Sequence, residues 1–281
     1  MKQGALVLVG TPIGNLGDMS PRAVAELRDA DVIAAEDTRR TRALLSALEV
    51  PAGRRLRAIH GHNERARAAA VVELLRGGSR VAYVTDAGTP GISDPGERLV
   101  RACLDAGLPV EVVPGPSAAI TALVLSGLPT GRFVVEGFLP RKGADREERL
   151  EEIAAELRTV VLFESPHRVR ATVADLAAAC SSDRRLAIAR ELTKLYEDVW
   201  RGDLQEAPAH LESVTPRGEY TLVLEGSPHP SGPDDEELGW EALALVREGV
   251  PTREAADRLA IRFGVSRRRA YDAVIAQRRS R

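Results

Sequence analysis

Three loops built from glycine, proline and small polar residues carry the clearest chemical signal in this chain. They are Gly10-Thr11-Pro12-Ile13-Gly14-Asn15-Leu16, Asp86-Ala87-Gly88-Thr89-Pro90-Gly91-Ile92-Ser93-Asp94-Pro95-Gly96 and Pro114-Gly115-Pro116-Ser117-Ala118-Ala119. Glycine permits positive φ and lets backbone approach a ligand closely, and proline stiffens the loop before the ligand arrives. Each loop follows a short apolar run (Ala5–Val9, Arg80–Val84, Val110–Val113) and precedes a helical pattern. That grammar places the loops at the carboxyl ends of parallel strands, where open α/β sheets bind ligands. One such loop is often only a turn, but three on one sheet point to an enzyme with a small-molecule cleft. The first loop lacks the Gly-Lys-Ser/Thr ending of a Walker A phosphate cradle, and its glycines miss the Gly-x-Gly-x-x-Gly spacing. ATPase and dehydrogenase readings are therefore weak.

Of the 39 lysines and arginines, only Lys2, Lys142 and Lys194 are lysines. A GC-rich genome explains the skew. Where arginine is favoured nearly everywhere, a retained lysine suits a place that needs a compact ammonium or an amine able to lose its proton. Lys142 and Lys194 are candidates on that ground, with chance survival an equal alternative.

The elements that must position these loops form an α/β pattern. A first domain, 1–130, reads as about five strands: Ala5–Val9, Asp31–Ala35, Leu56–His60, Arg80–Val84 and Val110–Val113. Its helices start at Ser20-Pro21, after Glu64, at Asp94 and at Ser117, with Ser20 as an N-cap. A second domain, 131–227, reads as strands Phe133–Phe138, Thr159–Phe163, Leu186–Glu191 and Tyr220–Leu224, with helices Asp145–Leu157, Pro166–Ala179 and Pro208–Val214. Residues 228–237, rich in Pro, Gly and acid, are the linker, and 238–281 are purely helical. With 281 residues the chain can bury a full core, and no apolar stretch reaches the roughly 18 residues of a membrane span. Two cysteines, Cys103 and Cys180, make neither a disulfide framework nor zinc spacing. No metal is expected, and a cytoplasmic location is the default.

Net charge is −2 overall, yet 238–281 hold ten arginines against five acidic residues. Such asymmetry hints at an anionic partner. Thr252 can cap a helix to about Phe263, Gly264 breaks it, and Ser266 caps another, with Arg267, Arg268 and Arg269 in its first turn. That is similar to a helix-turn-helix with a basic recognition helix. A helical cap or dimer contact with solvated arginines is the plainer reading.

A set of motifs occurs in order along nearly the whole chain: Val9-Gly-Thr-Pro-Ile-Gly-Asn-Leu16, Ala35-Glu-Asp-Thr-Arg39, His62-Asn-Glu64, Asp86 to Gly96 and Pro114-Gly-Pro-Ser-Ala118. Gly137-Phe-Leu-Pro-Arg-Lys142, Glu164-Ser-Pro-His-Arg168 and Arg190-Glu-Leu-Thr-Lys194 complete it. The set resembles the small-subunit ribosomal RNA 2′-O-methyltransferase I family, a branch of the tetrapyrrole methylase superfamily. The resemblance implies a two-domain class III methyltransferase with S-adenosylmethionine folded into the cleft. It further implies a homodimer and methylation of a ribose 2′-hydroxyl on a decoding-centre cytidine of 16S rRNA in the small ribosomal subunit. A tetrapyrrole (precorrin-type) C-methyltransferase of the same fold and a non-enzymatic SAM-sensing RNA-binding regulator are the alternatives.

Under that resemblance Gly88, Thr89 and Ile92 line one wall of the SAM cleft, Ser117 and Ala118 another. Thr11 and Pro12 close the floor, and Phe163 faces them. Asp86 either contacts the ligand or orders its own loop. Methyl transfer to an alcohol needs in-line alignment, exclusion of water and removal of a proton. Lys194 is the leading candidate for proton acceptor or charge stabiliser, with Glu191, Glu36, Asp37 and His62 as further helpers. Glu36 and Asp37 could equally form a surface ion-pair cluster with the arginines beside them, and His60 and His62 could serve packing or capping. Arg39, Arg40, Arg141, Lys142 and Arg168, read as loop residues, could meet RNA phosphates, as could Arg267, Arg268 and Arg269.

Overall fold

The first apolar run becomes β1 (Ala5–Val9), an inner strand buried along its whole length. Around it stand β2 (Val32–Ala35), β3 (Leu56–Ala58), β4 (Arg80–Val84) and β5 (Val110–Val113) in the order β3-β2-β4-β1-β5, all parallel. The computed structural model describes residues 4–59, 64–228, 235–263 and 265–279. His60, His62, Lys2, Gly264 and residues 229–234 of the expected linker lie outside them. Helices α1 (Pro21–Asp29) and α2 (Thr38–Ala47) cover one face of the sheet, and α3 (Glu64–Arg76) and α4 (Glu97–Asp105) the other. The two-residue period of the strand sorts the side chains. Val7 and Val9 pack with Leu27 and Leu45, whereas Leu6 and Leu8 pack with Leu75 and Leu99.

Helix α5 (Ala118–Ser126) leaves β5 and packs on a second sheet, made of β6 (Phe133–Phe138), β7 (Thr159–Glu164), β8 (Arg185–Arg190), β9 (Asp198–Asp203) and β10 (Tyr220–Leu224). Its order is β6-β7-β10-β8-β9, with β6 parallel to β7 and the remaining pairs antiparallel. One face carries α6 (Ala144–Ala155), α7 (Val169–Ala179) and α8 (Ala207–Ser213). The other face, Val161, Ala187, Ala189 and Val223, receives Ala119, Ala122 and Leu123 of α5 together with Ile13 from the loop after β1. This cluster joins the two sheets. Leu123 is buried at its centre, so Leu123→Ala should cost about 2–5 kcal/mol of stability, transfer and cavity terms together. Urea unfolding that gave the wild-type midpoint would show that α5 is not the clasp.

The chain divides into two compact units, Met1–Ser227 and Pro228–Arg281, and the first holds both sheets. The second is three helices, α9 (Asp235–Arg247), α10 (Thr252–Phe263) and α11 (Arg267–Arg279), around Leu238, Ala242, Leu259, Ala270 and Val274. Four details depart from the sequence reading. Helix α2 begins within the stretch read as loop, with Asp37 as N-cap accepting from the Arg39 amide at 2.7 Å. Helix α4 starts at Glu97, because Asp94 to Gly96 stay in the loop and Gly96 holds a φ of 140° that no helix tolerates. Strand β9 was hidden by its polar sequence, and α9 begins inside the expected linker.

Candidate active site

The three glycine-proline loops meet at the carboxyl ends of β1, β4 and β5. Thr11 and Gly88 exchange backbone hydrogen bonds, at 2.9 Å and 3.2 Å, which ties the first loop to the second. Gly10 and Gly115 tie the first to the third. A Cβ on Gly10 would stand 2.6 Å from the Gly115 nitrogen, so only glycine lets these backbones come together. Gly88 has a φ of 77°, which an L side chain adopts only under strain.

Beside the junction lies a cavity of about 360 Å³, within the range of small-molecule sites. Gly88, Thr89, Ile92, Ser117 and Ala118 line it, and Phe163 lines it from the second sheet. Thr11 and Pro12 are not in the lining. Thr11 is buried beneath the loops, its hydroxyl aimed at the Thr85 and Gly88 carbonyls, and Ile13 supplies the floor in its place. Asp86 also stands behind the wall. One of its carboxylate oxygens pairs with Arg40 at 3.3 Å and the other is buried without a hydrogen-bond partner, while its amide donates to Glu36 at 3.4 Å.

The lining residues that the spacing did not reveal are Asp94, Phe138, Leu192, Glu219, Tyr220 and Thr221 among others. Asp94 belongs to the long glycine-rich loop, yet nothing in its local sequence marks it off from a loop aspartate. Burial, reinforced by the carboxylates of Glu36 and Asp86, pushes it up to about 7. Burial likewise raises Glu36 and Asp86 above the ordinary carboxylate range. Tyr220 is 3% exposed, lines the cavity and finds no hydrogen-bond partner for its hydroxyl. The cavity wall mixes apolar side chains with Thr89, Asp94, Ser117 and Glu219, which fits a ligand with polar groups on an apolar frame.

Lys194 stands just outside the lining. Its ammonium bonds Glu191 at 2.7 Å and Glu219 at 2.9 Å, and Glu191 also accepts from the Glu219 amide at 3.0 Å. Burial alone would pull the amine down, but the two carboxylates outweigh it and hold it above its ordinary value. An amine so held keeps its proton, which opposes a role as proton acceptor and supplies a fixed positive charge. Backbone strain marks the same segment, with φ of 52° at Glu191 and 65° at Thr193.

The expected phosphate contacts sort differently. Arg39 and Arg40 lie in the first turn of α2 and not in a loop; Arg39 pairs with Asp37, and Arg40 with Asp86. Arg168 is structural. It donates to the Leu139 carbonyl at 2.7 Å and stands 3.3 Å from buried Glu164, pinning the ends of β6 and β7 together. Arg141 and Lys142 are exposed in the bend before α6. Arg267, Arg268 and Arg269 are exposed in the first turn of α11, and Arg267 pairs with Asp257 at 2.6 Å.

This two-sheet architecture is shared with solved methyltransferases. Uroporphyrin-III-C-methyltransferase from Thermus thermophilus superposes with a TM-score of 0.55 at 24% identity over 79% of this chain and 94% of that one. A cobalt precorrin-4 methyltransferase gives 0.58 at 18% identity with the same coverage. At those identities the likeness defines the fold, that of a class III methylase. Residues 5–208 match the family of tetrapyrrole (corrin/porphyrin) methylases. Among curated proteins, the ribosomal RNA small subunit methyltransferase I of Synechocystis sp. is 45% identical over 95% of this chain and 96% of its own length. The protein of that name from Mycobacterium tuberculosis is 45% identical over 99% and 97%. The chain belongs to the tetrapyrrole methylase family, in the branch formed by the ribosomal RNA small subunit methyltransferase I proteins.

Proposed function

We propose that this protein transfers the methyl group of S-adenosylmethionine to the ribose 2′-hydroxyl of a decoding-centre cytidine in 16S rRNA. One observation carries the choice of RNA over a tetrapyrrole. An alignment over 99% of the chain with a ribosomal RNA methyltransferase necessarily includes the Pro228–Arg281 unit, whereas the tetrapyrrole methylase match ends at residue 208. Within that unit, three arginines open α11, where the helix dipole disfavours positive charge. Arg267 gains a partner within the fold in Asp257, and an anionic ligand would complement the cluster.

When bound, S-adenosylmethionine supplies a sulfonium-activated methyl group. Gly88, Thr89, Ile92, Ser117, Ala118 and Phe163 would hold it. Asp94 takes the proton that the 2′-hydroxyl loses as its oxygen bonds the methyl carbon and the carbon–sulfur bond breaks, sulfur leaving as the neutral thioether, because a base that titrates near neutral pH is the effective one. Lys194, fixed by Glu191 and Glu219, keeps a positive charge beside the cavity rim and balances its carboxylates. Lys194→Arg, which keeps the charge, should leave the single-turnover rate within a few-fold, whereas Lys194→Met should lower it at least tenfold. Equal rates for the two variants would remove charge from the explanation.

The halves 1–130 and 131–227 are the two domains that complete the cleft, and the working form is a homodimer in the cytoplasm. Arg141, Lys142 and the α11 arginines contact phosphate. No helix among the described residues is long and apolar enough to cross a membrane. Deleting 238–281 should raise the apparent KM for small subunits and flatten its salt dependence, since fewer counterions are released, while SAM affinity holds. A wild-type salt slope in the truncated enzyme would make the tail structural. The function itself is tested by tritium transfer from labelled S-adenosylmethionine: label in small subunits supports it. Label in a tetrapyrrole, or SAM binding with no transfer to either, supports one of the two rivals.

A further inference from the structure

An aromatic ring is aimed into the cavity by a fault in the edge strand of the second sheet. Strand β6 pairs in parallel with β7, but the register slips between Val135 and Gly137, so that Glu136 is an extra residue. Before the slip, Val134 packs with the α6–α7 core. Strict alternation would put residue 138 on that same face. The bulge inverts it. Phe138 instead stands opposite Phe163, on the face that holds Val161, and the two rings lie 5.8 Å apart at 49°.

The bulge is held from outside the strand. Gly137 has a φ of 74°, and a Cβ there would meet the Ser93 hydroxyl at 2.9 Å. Ser93, itself at a φ of 58°, belongs to the glycine-rich loop and lines the cavity. Phe138 therefore lines the cavity while remaining 55% exposed, the position of a rim residue, with Phe163 less exposed beneath it. The same strand end carries exposed Arg141 and Lys142, neither in an ion pair among the described residues. An exposed ring interleaved with unpaired cations is the pattern that single-stranded RNA meets, bases stacking on the ring while phosphates meet the cations.

Resting on the function proposed above, we infer that Phe138 is a stacking platform for the base of the target nucleotide. A ribose cannot present its 2′-oxygen inside the cavity while its base stays in an RNA stack, so the nucleotide must be turned out and its base received at the rim. Phe138 offers the ring, and Arg141 and Lys142 the charge for the adjoining phosphates.

The test uses the full-length protein with unmethylated small ribosomal subunits. Phe138→Ala should lower kcat/KM for subunits by about fivefold to 150-fold, the loss of one base–aromatic stack. Its affinity for S-adenosylmethionine, by calorimetry, should stay within about twofold, and Phe138→Trp should restore most of the rate. The ring is exposed, so its truncation does not threaten folding. Wild-type kcat/KM in Phe138→Ala would overturn the platform, and a loss of SAM affinity that accounts for the whole defect would assign the ring to the cofactor's adenine. A wild-type enzyme that transfers no methyl to subunits would sink the function first, a result separable from either.

Discussion

Asp94→Asn is expected to lower the single-turnover rate of methyl transfer by about a hundredfold or more, the loss of a general base. The wild-type rate should climb as pH rises through about 7, because the carboxylate must lose its proton before it can take another. The variant's profile should be flat across that range. Stability gives an independent reading of the same group. Its folded pKa lies above the ordinary aspartate value, so the folded state holds a proton that the unfolded chain releases. Stability is then fully present below about 4 and falls as pH rises towards 7. Asp94→Asn should therefore raise Tm at pH 8 and change it little at pH 4. A variant with the wild-type rate and pH profile would move the proton acceptor elsewhere, with Glu36 next in line.

Gly88→Val should weaken S-adenosylmethionine binding at least tenfold, about 1.4 kcal/mol. Space is not the reason, since a Cβ would find its nearest neighbour at 3.7 Å, an ordinary contact. The backbone is. At a φ of 77° a β-branched residue is strained by of order 1–3 kcal/mol, and the loop relaxes by moving the wall that Gly88 and Thr89 form. Some stability should be lost with it, so calorimetry belongs well below the variant's melting temperature, and Gly88→Ala should show a smaller loss of the same sign. Binding unchanged from wild type would take this loop out of the cofactor site.

How much of this was legible differs between the two sheets. In the first, β1 and β4 are continuous apolar runs, and glycine and proline mark the loops that follow β1, β4 and β5. Those residues serve the close approach of Gly10 to Gly115 and the turn at Gly88, so the loop signal and the site coincide. The missing pieces were settled by contacts between distant segments. Helix α2 is arginine-rich in its first half and buries Thr41 and Leu45, and its start depends on the Asp37 cap. Strand β9 is polar and exists through pairing with β8. Tyr220 and Thr221 look like ordinary strand residues, and only the sheet order brings them to the cavity. Lys194 was singled out by residue type alone; of the two carboxylates that hold its charge, Glu191 is three residues away in its own motif, but Glu219 is 25 residues away. The partner of Arg168 was hidden for a like reason: its acceptor, the Leu139 carbonyl, is a backbone atom that no motif displays.

The most direct measurement is nucleoside mass spectrometry of 16S rRNA after unmethylated small subunits have reacted with the purified protein and S-adenosylmethionine. The account predicts one new 2′-O-methylcytidine per subunit, lost with Asp94→Asn and with Gly88→Val at limiting cofactor. A methyl group on a base, or subunits that emerge unmodified while the protein binds S-adenosylmethionine normally, would contradict it.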